Sequence, residues 1–254
     1  MRLSMKKELP LAPDFDLGPL LTLPNDFLKS SDPKKRAANA LILSLACVFN
    51  DLKGILWFVE QHIKYRQPDE AATAYNGQMQ ALNIQIQRLI VGTIHELTEI
   101  LRKSKIEMTH PDIQTAVKKL SKSHAASWAM MISITKNENR GTEVKGPSMA
   151  NFLRIVRNTT AFHYDNDYIM NGYEEWLKQA SKNPNAANKF AYVSLGKNAE
   201  ETRFFFADAP TTLLFDSELS NRGFNTKELK KVISAVNQAL RFVIEHYIFP
   251  NGRK

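Results

Sequence analysis

Between residues 33 and 66 the apolar side chains fall every three or four positions: Ala37, Leu41, Leu45, Val48, Leu52, Leu56, Val59 and Ile63. That spacing gathers them on one side of an α-helix and scatters them over both faces of a strand. A helix of this length cannot bury its stripe alone, so partner helices are required. Its start is marked as well. Asp32 is a good N-cap, and Pro33 suits the first helical position, where its missing amide costs nothing. The pattern predicts a helix from Pro33 to about Arg66.

The same period recurs along the chain. Pro68-Asp69-Glu70 opens a second helix carrying Met79, Leu82, Ile86, Leu89, Ile90, Ile94, Leu97 and Leu101. Thr109-His110-Pro111-Asp112 opens a third, predicted to run to about Lys136. After a polar loop from Asn139-Arg140-Gly141 to Gly146-Pro147, Ser148 caps a fourth helix. Further helices are predicted near 166–181 and over about 226–248, the last with Leu229, Val232, Ile233, Val236, Leu240, Val243 and Ile244. Between these two the character changes. Phe190 to Leu195, a polar turn, and Thr202-Arg203-Phe204-Phe205-Phe206 read as a β-hairpin. Pro10, Pro13, Pro19 and Pro24 set residues 1–31 apart as an N-terminal arm. The predicted fold is all-α in the main. It is a bundle of long antiparallel helices, one domain over 32–254, with a small inserted β-hairpin near 190–206.

Composition narrows the function classes. The lone cysteine, Cys47, excludes a disulfide framework and a four-cysteine zinc site, and it fits a reducing compartment. The opening MRLSMKKELPLAPDFDL has no signal-peptide layout. The longest apolar run, near 40–49, is too short to span a bilayer. A cytoplasmic protein without a membrane partner is expected. Lys and Arg number 34 against 26 acidic residues, a net charge of +8, which favours a polyanionic partner such as nucleic acid. The cations cluster at Lys34-Lys35-Arg36, at Arg102-Lys103-Ser104-Lys105, at Lys118-Lys119 with Lys122, and at Arg154 and Arg157.

Several familiar chemistries are argued against. Residues 141–147 have the glycine spacing of a P-loop, but Pro147 stands where the lysine must be. His95-Glu96-Leu97-Thr98-Glu99 lacks the second histidine of a zinc protease, and pairing of His95 with Glu99 on the helix surface is expected instead. A di-iron bundle needs two Glu-x-x-His units, and only Glu107 to His110 fits. His62, His110, His124 and His246 have no convincing catalytic partners. Stacking of bases on Phe204-Phe205-Phe206 is less favoured than core packing of the hairpin.

One block remains: Arg157-Asn158-Thr159-Thr160-Ala161-Phe162-His163-Tyr164-Asp165. Arginine and histidine with four to six residues between them also occur at Arg88…His95 and Arg241…His246, followed there by Leu89 and Phe242. Only the middle block has a polar residue, Asn158, after the arginine, and only it follows a series of long helices. These features resemble the HEPN superfamily (higher eukaryotes and prokaryotes nucleotide-binding domains), whose members are helical bundles and often metal-independent ribonucleases marked by Arg-x(4–6)-His. The likeness covers about residues 33–180. One toxin branch of the family has His-x-Tyr, whereas Tyr164 here directly follows His163 and Asp165 takes the next place, so the branch stays open.

The resemblance implies Arg157, Asn158 and His163 as the catalytic group, with neither metal nor cofactor. It implies RNA as substrate, 2′,3′-cyclic phosphate and 5′-OH products, and a homodimer whose two motifs meet in one cleft. Toxin or antiviral roles, with an antitoxin or regulatory protein as partner, follow by analogy. Arg154, Tyr164, Asp165 and Lys145 are candidate substrate contacts. The residue types suit the chemistry: histidine moves protons near neutrality, and arginine keeps its charge beside a pentacoordinate phosphate. On a regular helix, six residues put His163 about 120° from Arg157, near the stripe of Met149, Phe152 and Val156. That offset asks for a second subunit, or for a buried structural histidine. The alternative function is a non-catalytic module that binds RNA, a nucleotide or a protein partner. A helical scaffold without nucleic-acid function stands third.

Overall fold

A computed structural model of the chain describes residues 23–24, 26–65, 74–136, 149–158, 166–182, 193–198, 202–221 and 226–252. Its elements are α1 (Pro33–Tyr65), α2 (Ala74–Lys103), a short 3-10 turn (Glu107–Thr109), α3 (Pro111–Lys118), α4 (Lys122–Lys136), α5 (Met149–Val156), α6 (Asn166–Lys182), α7 (Phe205–Asn221) and α8 (Thr226–Ile248). The described residues hold no β-strand, so the protein is all-α there.

α1 begins where the sequence predicts. The amide of Lys34 donates to Asp32 Oδ1 at 3.0 Å, and that of Arg36 to the Asp32 carbonyl at 2.8 Å. Its buried stripe is Ala38, Leu41, Ile42, Leu45, Val48, Leu52 and Ile55. The apolar character extends well beyond 40–49. Pro33–Glu60 is long and apolar enough to cross a membrane by length and composition. In this fold one face of that stretch belongs to the core, which continues through α2–α5, α7 and α8. α1 packs on α2 and α8, α4 on α8, α2 on α5, and α6 on α7.

The third predicted helix is in fact two. His110 Nδ1 accepts from the Asp112 amide at 3.3 Å and Pro111 follows, so the start is as expected. The helix stops at Lys118. Ser121 then caps a new one, its carbonyl accepting from Ala125 at 2.8 Å and its hydroxyl from the His124 amide at 3.3 Å. A serine hydroxyl competes with the helix ladder for backbone groups, which is why such residues favour ends over interiors.

The hairpin expected near 190–206 is represented, among the described residues, by one antiparallel bridge. Ser194 and Arg203 exchange both backbone hydrogen bonds, at 2.8 and 2.7 Å. Phe205 and Phe206 do not continue a strand, because they open α7. This helix is illegible locally. Asp208, Pro210, Thr211 and Thr212 all lower helix propensity. A local pair and tertiary packing hold it: Arg203, five residues before Asp208, bonds that carboxylate twice, at 3.0 and 3.2 Å, and Phe215 is buried edge-on to Phe152 of α5. At Gly172 of α6 an added Cβ would lie 2.7 Å from the Leu214 side chain and 3.0 Å from the Pro210 carbonyl, so only glycine admits this approach of α6 to α7.

One end of the bundle is tied by polar contacts between distant segments. Asn39, buried on α1, donates to the Leu28 carbonyl and accepts from Tyr247 Oη, each at 2.6 Å. The described part of the arm is thereby docked on α1 and α8. Lys35 Nζ bonds Asp112 of α3 and lies over the Tyr247 ring, 4.7 Å from its centre. Partial burial works to lower the Lys35 pKa, but the bonds to Asp112 and Tyr247 outweigh it and the net shift is upward. The Lys35 hydrogen bond holds Asp112 below the usual carboxylate value. A carboxylate with a depressed folded pKa stabilises fully above its unfolded pKa of about 4, and the gain is lost as pH falls through the folded value. Asp112→Asn is therefore expected to flatten the acid side of a stability–pH profile between about pH 5 and pH 2. Solvent screening keeps the effect to about 1 kcal/mol or less. Denaturant midpoints with the same acid slope in both proteins would refute the pairing.

Candidate functional site

The site is carried by α5, a short helix buried on most sides. Ala150, Asn151, Phe152, Leu153 and Val156 are all buried, and Arg154 points to solvent. The helix packs against α2. After Val156 the backbone widens into a π-type turn at Arg157 and Asn158. Such turns re-aim the side chains they carry, and they recur at functional sites.

The Arg157 side chain is 32% exposed, its guanidinium spread between two partners. One terminal nitrogen donates to Asn158 Oδ1 at 3.1 Å and the other to Glu96 Oε1 at 3.4 Å. Nε is buried and has no hydrogen-bond acceptor among the described residues. The neighbouring asparagine thus orients the arginine, while a carboxylate from α2 faces its outer edge. An ion pair this exposed is worth only about 0–1 kcal/mol, so an incoming anion can displace Glu96 cheaply.

Of the predicted site residues, Arg157 and Asn158 are adjacent and bonded, and Arg154 lies one turn earlier with its side chain exposed. His163, Tyr164, Asp165 and Lys145 lie outside the described residues. The 120° offset between Arg157 and His163 presumes a regular helix through the block. Regular α-geometry ends at Val156, so that offset no longer follows, and with it goes the geometric argument for a second subunit.

Glu96 carries no signal in the sequence as a member of this site. It lies 61 residues from Arg157, and nothing local links the two. Its neighbour His95 is not on the helix surface as expected, being only 7% exposed. Arg102 forks both oxygens of Glu99, at 3.1 and 2.6 Å. Other histidines serve packing or capping. His124 stacks on Phe242 with ring centres 3.6 Å apart, His246 flanks the same ring, and His110 caps α3. Among the described residues no three His, Cys, Asp or Glu side chains converge as a metal site.

Compared with known proteins, the chain matches no family model, no curated protein and no solved structure.

Proposed function

We propose that the chain is a metal-independent endoribonuclease of HEPN type, acting in the manner of a toxin or antiviral effector. The observation that carries this reading is the Arg157–Asn158 pair. A guanidinium is anchored at the end of a buried helix, oriented by the next side chain at 3.1 Å, and open to solvent on one side. An arginine so placed can hold two oxygens of a phosphodiester, trading Glu96 for the substrate.

In the reaction the RNA 2′-oxygen attacks its own phosphorus. The 2′-oxygen–phosphorus bond forms, the bond from phosphorus to the 5′-oxygen breaks, and a cyclic phosphate remains. The 2′-hydroxyl loses a proton and the departing 5′-oxygen gains one; His163, by the family resemblance, carries out one of these transfers and solvent water the other. Arg157 stabilises the added charge of the pentacoordinate phosphate, and Asn158 keeps the guanidinium aimed. The reading includes a homodimer with a shared cleft and a cytoplasmic location.

The test is incubation of the purified chain with mixed cellular RNA in EDTA, followed by mapping of the ends. Cleavage leaving 2′,3′-cyclic phosphate and 5′-OH termini is expected. Binding of RNA with no cleavage would instead favour the non-catalytic module.

A further inference from the structure

Three basic runs that lie far apart in the sequence share one end of the bundle. Lys34 and Arg36 flank Lys35, which bonds Asp112 at the start of α3. Lys103 and Lys105 immediately precede the 3-10 turn, which packs on both α1 and α3. Lys118 and Lys122 flank Lys119, whose Nζ bonds the Pro250 carbonyl just beyond α8. Tyr247 near that end of α8 bonds Asn39, closing the ring of contacts around the same neighbourhood. Lys34, Arg36, Lys103, Lys105, Lys118 and Lys122 are all exposed, and none has an ion-pair partner among the described residues.

The carboxylates nearby are mostly spoken for. Asp112 is held by Lys35, Glu99 by Arg102, and Asp32 caps α1. Asp32, whose bond to a backbone amide leaves its charge in place, Asp26 and Glu107 stand against the six open cations and Lys119, whose partner is a neutral carbonyl. The end is therefore strongly positive, and folding keeps it so although like charges repel. It is also continuous with the site on α5. Glu96 and Lys103 are seven residues apart on α2, hence on one face and separated by about 10 Å along the axis.

We propose that this end of the bundle is a phosphate-binding track for single-stranded RNA, leading to Arg157. The choice of RNA among polyanions rests on the nuclease reading; the positive track itself does not. A membrane surface fits less well. The cations are spread over α1, α2, α3 and α4 rather than along one amphipathic helix. A strand laid here gains charge-assisted contacts to its backbone with no base readout.

The test compares two variants of equal charge change. One is Lys34→Gln, Lys105→Gln and Lys118→Gln, a single change in each run. The other is Lys227→Gln, Lys230→Gln and Lys231→Gln, all exposed at the opposite end of α8. The probe is a 2′-O-methyl RNA, which binds but cannot be cut because its nucleophile is blocked. The first variant is expected to flatten the plot of log affinity against log salt by about 1 to 2, at roughly 0.7 for each phosphate no longer neutralised. At low salt it should weaken binding at least about tenfold. The second variant should match wild type. Equal effects in both variants, or none in either, overturn the track. So does a wild type that ignores RNA and binds phosphatidylserine vesicles through the same three lysines. Melting curves confirm that each variant folds, since exposed substitutions cost within about 0.5 kcal/mol each. Selective weakening without cleavage of any unblocked RNA leaves the track standing and removes the nuclease reading. Cleavage with both variants binding alike removes the track alone.

Discussion

Arg157→Ala is expected to lower RNA cleavage about 10²–10³-fold, the loss typical of removing a donor that stabilises developing charge. His163→Ala should lower it about 10²–10⁴-fold by removing the proton-transfer group. The two should not multiply, because groups that act as one unit are non-additive. Glu96→Gln separates this account from a structural one. If Glu96 only occupies the arginine until an anion arrives, neutralising it leaves cleavage intact and tightens binding of the 2′-O-methyl RNA by up to about fivefold, the equivalent of an exposed ion pair. If Arg157 is instead a structural tether, Arg157→Ala and Glu96→Gln should destabilise alike and leave the RNA chemistry untouched. Melting temperatures of the Arg157 and His163 variants are expected within about 4 °C of wild type. Equal cleavage by wild type and both alanine variants would end the nuclease claim.

The second large effect is on stability. Phe152 sits on α5 with 0% exposure and meets Phe215 of α7 edge-on, ring centres 5.6 Å apart. Phe152→Ala removes the ring and leaves a cavity that its neighbours fill only in part. The expected cost is about 3–5 kcal/mol, against a net stability of about 5–15 kcal/mol for a typical domain. The urea midpoint should fall steeply, and with it the support for Arg157 one turn further along. Phe204→Ala is the control. Phe204 is exposed and precedes α7, so its loss should stay within about 0.5 kcal/mol. Equal midpoints for the two variants would show that the contact between α5 and α7 does not hold the site.

These two predictions depend unequally on the sequence. Phe152 belongs to an apolar stripe with Met149 and Val156 that is legible in the residues alone, but Phe215 does not. The helix that carries Phe215 contains Pro210 and a pair of threonines, and its first residues look like strand. α7 is held as a helix by packing on α6 at Gly172 and by Phe215 against Phe152 of α5. Propensity is a weak prior that such contacts override. The break between Lys118 and Lys122 shows the converse. There a purely local competitor, the Ser121 cap, interrupts an apolar period that continues on both sides.

The sequence by itself determined the starts of α1 at Asp32-Pro33 and of α3 at His110-Pro111, and the span of α8 over 226–248. It could do so because caps and amphipathic periods act within about one or two turns of chain. It also singled out Arg157 and Asn158, through side-chain chemistry and neighbours. Only the tertiary structure decided that the regular helix ends at Val156, that Glu96 faces Arg157 across 61 residues, and that three basic runs meet at one end. Those facts rest on which helices pack together. Packing joins residues whose separation along the chain carries no periodic or capping signal.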